Sequence, residues 1–363
     1  MIFNPLSEAQ AKQVIDAEQA YSAWQDAWGA SRTWAGGMHW KTVAGREYLY
    51  RTQDGTGNAK SLGARTPETE QIAAQFHAGK AEAQVRLKSL TATLAVQAKI
   101  NAVLRLGSAP VVVGEVCQRL SLAGLLGKNL MVIGTNSMLA YEAMAGVRFA
   151  RDVMATTDID LLWSHKARLA LTTWGDEADA VQPELNPYNP ANSSAGWPTS
   201  LMAILQKADK SFQRMTHQHF RAANDQGFLV DLIRQMPAPP WKSEPESIGA
   251  GDDLIATDIW NMKWLLNAPR VNTLAIAVNG TVFPITAPDP RAYCAFKLWL
   301  AQADERNPQK KSRDLAQAKA VYALIKDRLP HLHANWADIA SIPKAVMAKV
   351  INGELNLETA VDR

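Results

Sequence analysis

Three aspartates stand in stretches that are otherwise apolar. Thr156-Thr-Asp158-Ile-Asp160-Leu-Leu-Trp163 reads as a β-strand carrying carboxylates at i and i+2. Side chains alternate along a strand, so Asp158 and Asp160 share one face while Ile159 and Leu161 point into a core. Two such charges repel each other and lose solvation, and a divalent cation between them relieves both penalties. The third acid, Asp231, lies in Gly227-Phe-Leu-Val-Asp231-Leu-Ile-Arg234, on one strand face with Leu229 and Ile233, while Phe228, Val230 and Leu232 take the other. A charge among such neighbours needs a partner, and a metal held by the other two acids supplies one. Ahead of these acids, the strand Leu130–Ile133 runs into the turn Gly134-Thr135-Asn136-Ser137 and a helix from Met138 to Ala145. Free N–H groups and the positive end of a helix dipole then converge at one point, which suits a phosphate. Oxygen-only ligands favour Mg²⁺ or Mn²⁺ over zinc. His217 and His219 have no Cys or third His near them and do not read as a zinc site.

Positioning these residues falls to a chain of 363 residues, longer than a single core usually grows, so separate units are expected. The class is α/β (α+β). Residues 1–125 read as a helical region with a β-hairpin at about 38–52; residues 126–290 alternate short apolar strands with helices around a mixed sheet; residues 291–363 form a helical unit. Ser7 and Gln10 make a capping box for a first helix reaching about Arg32, before Gly36-Gly37. Thr66-Pro67 starts a long helix with a kink expected near Gly79, and a shorter helix is expected from Pro110 to Leu126. Turns are expected at Asp54-Gly55 and Gly57-Asn58, and surface loops over Pro183–Pro198 and Pro237–Gly251.

The formal net charge is only +3, but it is segregated. Lys80, Arg86, Lys88, Lys99 and Arg105 stand against Glu82 alone, whereas Glu244, Glu246, Asp252, Asp253 and Asp258 stand without a base. Each run reads as a solvated face. Cys117 and Cys294 lie in apolar contexts and read as buried thiols. No apolar run reaches the length of a membrane span, and the first residues lack the pattern of a signal peptide, so a cytoplasmic location is expected.

The strand ending in a glycine turn on a helix, the Asp158-Ile-Asp160 strand and the later Asp231 together resemble the DNA polymerase beta-like nucleotidyltransferase superfamily. Gly146-Val-Arg-Phe149, Thr156-Thr157 and the apolar residues around Asp-Ile-Asp-Leu are similar to the bacterial AbiEii-type toxin branch and to an uncharacterised group of bacterial nucleotidyltransferase-fold proteins. Phe296-Lys297-Leu-Trp299 and Lys310-Lys-Ser-Arg313-Asp314 resemble the family's C-terminal helices. The likeness covers about residues 126–325. It departs at Thr135, where Ser or Gly is usual, and in the interval from Ser137 to Asp158, which is longer and includes Arg148, Arg151 and Asp152.

The resemblance implies that Asp158, Asp160 and Asp231 hold two Mg²⁺ (or Mn²⁺) ions and carry catalysis. Gly134, Thr135, Asn136, Ser137, Lys297 and, beside them, Arg313 would bind the nucleotide phosphates. The reaction implied is transfer of an NMP from NTP to an acceptor hydroxyl with release of pyrophosphate, the acceptor being RNA or tRNA in preference to protein. The alternative is a catalytically silent protein of this fold that binds nucleic acid or a protein partner, with Trp40, Lys41, Tyr48, Tyr50 and Arg51 of the hairpin as its contact. A simpler reading of these aromatics is that they pack the hairpin onto the following helix.

Overall fold

The computed structural model describes residues 2–52, 59–164, 200–249 and 252–352. The turns expected at Asp54-Gly55 and Gly57-Asn58 and the loop expected over Pro183–Pro198 lie outside these residues. A short strand β1 (Phe3–Pro5) leads into α1 (Glu8–Thr33), where Ser7 and Gln10 complete the reciprocal capping box. β2 (Gly37–Val43) and β3 (Arg46–Thr52) make the expected hairpin around Ala44-Gly45, both at positive φ. A third strand, β4 (Ala59–Ala64), adds to β3 with a bulge at Leu49/Tyr50. Its sequence, Ala-Lys-Ser-Leu-Gly-Ala, has no apolar alternation to announce a strand.

α2 (Pro67–Val103) runs unbroken through Gly79 and lies against α1, held by Trp24 Nε1 donating to Thr91 Oγ1 (3.0 Å) and Gln13 Nε2 donating to Asn101 Oδ1 (2.9 Å). The glycine leaves room for an aromatic ring: a Cβ at Gly79 would overlap the indole of Trp34.

α3 (Val111–Leu122) ends four residues earlier than expected, because Gly124 takes φ +71° and turns the chain so that Leu125 and Leu126 pack on the core. There follow β5 (Leu130–Ile133), a 3₁₀ turn over Gly134–Asn136, α4 (Ser137–Ala145), β6 (Val147–Phe149), the single turn α5 (Arg151–Met154) and β7 (Asp158–Trp163). After α6 (Leu201–Ala208) come β8 (Gln213–Arg214), β9 (Arg221–Ala223), β10 (Leu229–Gln235) and β11 (Thr257–Ile259). These build a mixed sheet in the order β5-β7-β10-β9-β8, with β11 pairing the far half of β10. β7 and β10 run parallel at its centre. α7 (Met262–Leu266) then precedes a hairpin of β12 (Arg270–Ile276) and β13 (Val282–Pro288).

The acidic run beyond β10 is not simply solvated. The buried Asp253 carboxylate accepts N–H groups of Leu201, Met202, Gly249 and Leu254, capping α6. Glu246 and Asp258 flank the buried Arg234 guanidinium. In the basic run Arg86, Lys88, Lys99 and Arg105 are exposed as expected, whereas Lys80 reaches the carbonyl of Gly36.

The chain closes with α8 (Pro290–Gln302), α9 (Pro308–Arg328), α10 (Pro330–His333) and α11 (Lys344–Ile351). One continuous apolar core runs from Ala109 to Val350, so sheet and C-terminal helices share it. Cys117 and Cys294 are buried, free thiols within it. No helix among the described residues is long and apolar enough to cross a membrane.

Candidate active site

Sheet register brings the three acids onto one face. β7 and β10 are parallel neighbours in which Asp231 is the partner of Asp160 and Leu229 the partner of Asp158, so all three carboxylates share one face. The other face is the core, with Ile159, Leu161, Val230 and Leu232 fully buried. The consequence is electrostatic. Burial pushes the Asp160 carboxyl up to about 7, the charges of Asp158 and Asp231 push the same way, and those of Lys297 and Arg221 pull against them. The neighbouring Asp158 is half-buried, and its Oδ1 accepts the Thr156 hydroxyl.

The glycine turn touches this cluster directly. Ile133 pairs with Asp160 across β5 and β7, so Gly134, the next residue, arrives beside the Asp160 side chain. At φ +69°, and with no space for a Cβ against Asp160 Oδ2, the position requires glycine. Thr135 Oγ1 accepts from Gln317 Nε2 (2.9 Å) and Arg313 Nη2 (3.1 Å), which leaves its own proton for another acceptor. Arg313 also donates to the carbonyl of Ala155, and Gln317 to that of Val153 (3.1 Å). Helix α9 thereby locks the turn to the approach of β7. The other two turn side chains are directed inward. Asn136 Nδ2 donates to the Asp158 carbonyl (2.7 Å), and the fully buried Ser137 hydroxyl donates to Val132 O (3.0 Å). α4 starts without a side-chain cap, so its first backbone N–H groups and Thr135 are what this end could offer a ligand.

Two cations flank the acids. Arg221, on β9, stands opposite Asp231 in the antiparallel register and grips it with two 2.6 Å bonds, Nε to Oδ1 and Nη2 to Oδ2. Asp231 is itself only 6% exposed, so this fork meets both of its oxygens inside the protein. Lys297 is also buried, and its Nζ donates to Asp314 Oδ1 at 2.7 Å while Arg306 Nε donates to Asp314 Oδ2 at 2.9 Å. Burial lowers the Lys297 pKa; Asp314 and Asp160 counter it. Lys310, one turn ahead of Asp314, is exposed, and Asp314 instead faces inward to Lys297.

The donor set suits a hard divalent cation at Asp158 and Asp160, whose mutual repulsion such a charge would relieve. Asp231 can join them only if Arg221 lets it go. Among the described residues no three His, Cys, Asp or Glu side chains already stand together as a metal site.

Arg221, Gln317 and the pairing of buried Asp314 with Arg306 were not singled out from the sequence. For Arg221 a signal existed. Asn224-Asp-Gln-Gly227 is a turn sequence, and a hairpin closed there, as Asn224 N to Phe228 O closes it, sets Arg221 against Asp231. Nothing local marks Gln317, 182 residues from the threonine it holds.

The model of a family described as nucleotidyltransferase matches residues 112–186 and 187–341. No curated protein and no solved structure matches. The match starts with α3 and includes every residue of the carboxylate face, the glycine turn and the α9 residues that hold it. Since it takes in well over half of the chain, the protein belongs to this nucleotidyltransferase family.

Proposed function

We propose that the protein transfers an NMP from an NTP to an acceptor hydroxyl, releasing pyrophosphate, with RNA or tRNA favoured over protein as the acceptor. The observation that carries this reading is the Asp160 carboxyl, held up to about 7 by burial and two neighbouring carboxylates beside a glycine turn that tolerates no side chain. A carboxyl arranged so is suited to bind a multivalent cation, whose charge would offset both burial and its neighbours. Mg²⁺ or Mn²⁺ held by Asp158 and Asp160 would supply charge neutralisation of the phosphates and a more acidic acceptor hydroxyl.

The protein groups divide the remaining roles. Asp160 would hold the cation as a carboxylate, its proton passing to solvent, and Asp158 shares the same face. The N–H groups of the Gly134 turn and the Thr135 hydroxyl receive phosphate oxygens, and Arg313, already beside Thr135, adds positive charge. Lys297 acts from behind Asp160, where it offsets carboxylate charge while its ammonium stays on Asp314. Release of Asp231 from Arg221 would free the carboxylate as the third ligand and as acceptor of the hydroxyl proton, and free the guanidinium for the triphosphate.

The test supplies each NTP labelled at the α-phosphate, with Mg²⁺ or Mn²⁺, to the full chain together with total RNA or cell protein. Label entering RNA, and lost in Asp158→Ala, is the expected result. Label in protein alone changes the acceptor. No label with any metal favours the silent, binding-only reading.

A further inference from the structure

The hairpin aromatics divide between two faces of the sheet. Met38 pairs with Arg51 and Trp40 with Leu49, and this side meets α2: Met38 and Leu49 pack with Ala73 and Phe76, and the Arg51 guanidinium lies 4.1 Å from the Phe76 ring centre. The simpler expectation, aromatics packed on the helix, holds for Trp40.

The alternating residues face the other way. His39 pairs with Tyr50, and Tyr50 with Ser61; Lys41 pairs with Tyr48, and Val43 with Arg46. None of these is buried. The His39 and Tyr50 rings stack, with centroids 6.2 Å apart and planes at 20°, and Lys41 Nζ lies 5.7 Å from the Tyr50 centroid. The charged side chains on this face are Lys41 and Arg46, and no described residue of it is acidic. Along α2, Lys88 and Lys99 are exposed and stand eleven residues apart, three helical turns, so the two lysines line one face of that helix.

We propose that this outer face is a stacking platform for a single-stranded segment of RNA, with Lys41 and Arg46 meeting its phosphates. Flat rings beside cations with no acid among them fit a chain of bases and phosphates, whose stacking is tolerant of sequence. A second copy meeting this face through its own same face would set Lys41 and Arg46 against like charges. A duplex keeps its bases stacked on each other and offers them no free face. From Phe76 at the sheet to Asn101, which donates to Gly280 O at the core (2.9 Å), α2 spans about 37 Å at 1.5 Å per residue. An RNA held at the sheet must therefore be long if it is to reach the core as well. The inference deepens the proposed function by naming a grip on the acceptor, but its test reads binding alone.

That test titrates the full chain into a fluorescein-labelled single-stranded 12-mer RNA of mixed sequence and follows anisotropy. Wild type should bind, and the unlabelled duplex of the same sequence should compete at least tenfold more weakly. Tyr48→Ala with Tyr50→Ala should weaken binding roughly tenfold or more, as loss of two stacking rings does, with the circular dichroism unchanged. Should that variant fail to fold, Lys41→Glu is the substitute; it should weaken binding and flatten the salt dependence by about one phosphate contact. Weakened binding in a protein that shows no NMP transfer keeps the platform and removes the transfer reading. Absence of wild-type binding, equal affinity of wild type and these variants, or equal competition by the duplex overturns the platform.

Discussion

At the scale of single residues the site is a balance of charges. Asp160 titrates at about 7 in the folded protein against an ordinary value near 3.8. The native state therefore keeps a proton that the unfolded chain gives up between roughly pH 4 and 7, and stability falls as pH rises through that window. Asp160→Asn removes this component. In chelator, the melting temperature of the variant should gain on wild type as pH goes from 5 to 8; parallel curves would deny that Asp160 carries the proton. Arg221→Ala strips both bonds from a buried Asp231, and an unpaired buried charge costs about 3–5 kcal/mol. The variant should melt well below wild type, and Mn²⁺ should recover more of its stability than it adds to wild type. Equal Mn²⁺ shifts in the two proteins would count against Asp231 as a ligand. Much at this scale was legible. The alternation around Asp158-Ile-Asp160 and the lone Asp231 showed in the sequence because acids are rare in apolar strands. That Ser137 is directed at Val132 O and Lys297 at Asp314 was hidden, since the spacing of residues does not fix a rotamer.

At the scale of elements, the glycine turn and α9 act as one piece. The departure at Thr135 has a structural use, because its hydroxyl is the point where Arg313 and Gln317 take hold. Gln317→Ala removes three hydrogen bonds, donated to Thr135 Oγ1 and Val153 O and accepted from the Tyr293 hydroxyl, so it should cost about 3 kcal/mol at roughly 1 kcal/mol each and impair NTP binding more than that loss of stability explains. A change in melting temperature with unaltered NTP affinity would show that α9 merely packs. Gly134→Ala meets both the positive φ and the Asp160 carboxylate, so it should abolish NTP binding, and retained affinity would refute the close approach. The long interval after Ser137 also has a use. It supplies β6, which pairs Phe149, Arg148 and Val147 with Phe3, Asn4 and Pro5 of β1. The sequence showed the interval but not the partner, since three-residue strands carry no period of their own.

At the scale of the whole molecule, the family match and the continuous core together cover the sheet and the C-terminal helices. The proposed units 126–290 and 291–363 should therefore melt in a single transition, observed by calorimetry. The α1–α2 pair has a smaller core of its own with Leu106, Ile276 and Val282, and the three-stranded sheet another with Phe76. The outer half of α2 should accordingly exchange its amide hydrogens before the central sheet does. What α1 and α2 are for was not legible, because exposed helices are written in residues common to many surfaces.

The account depends most on where nucleotide and metal bind. A crystal of the full chain grown with Mn²⁺ and a non-hydrolysable NTP, measured for manganese anomalous scattering, locates both. The account predicts a manganese peak between Asp158 and Asp160 with the triphosphate at the Gly134 turn. Nucleotide or manganese bound elsewhere, with these carboxylates bare, would contradict it.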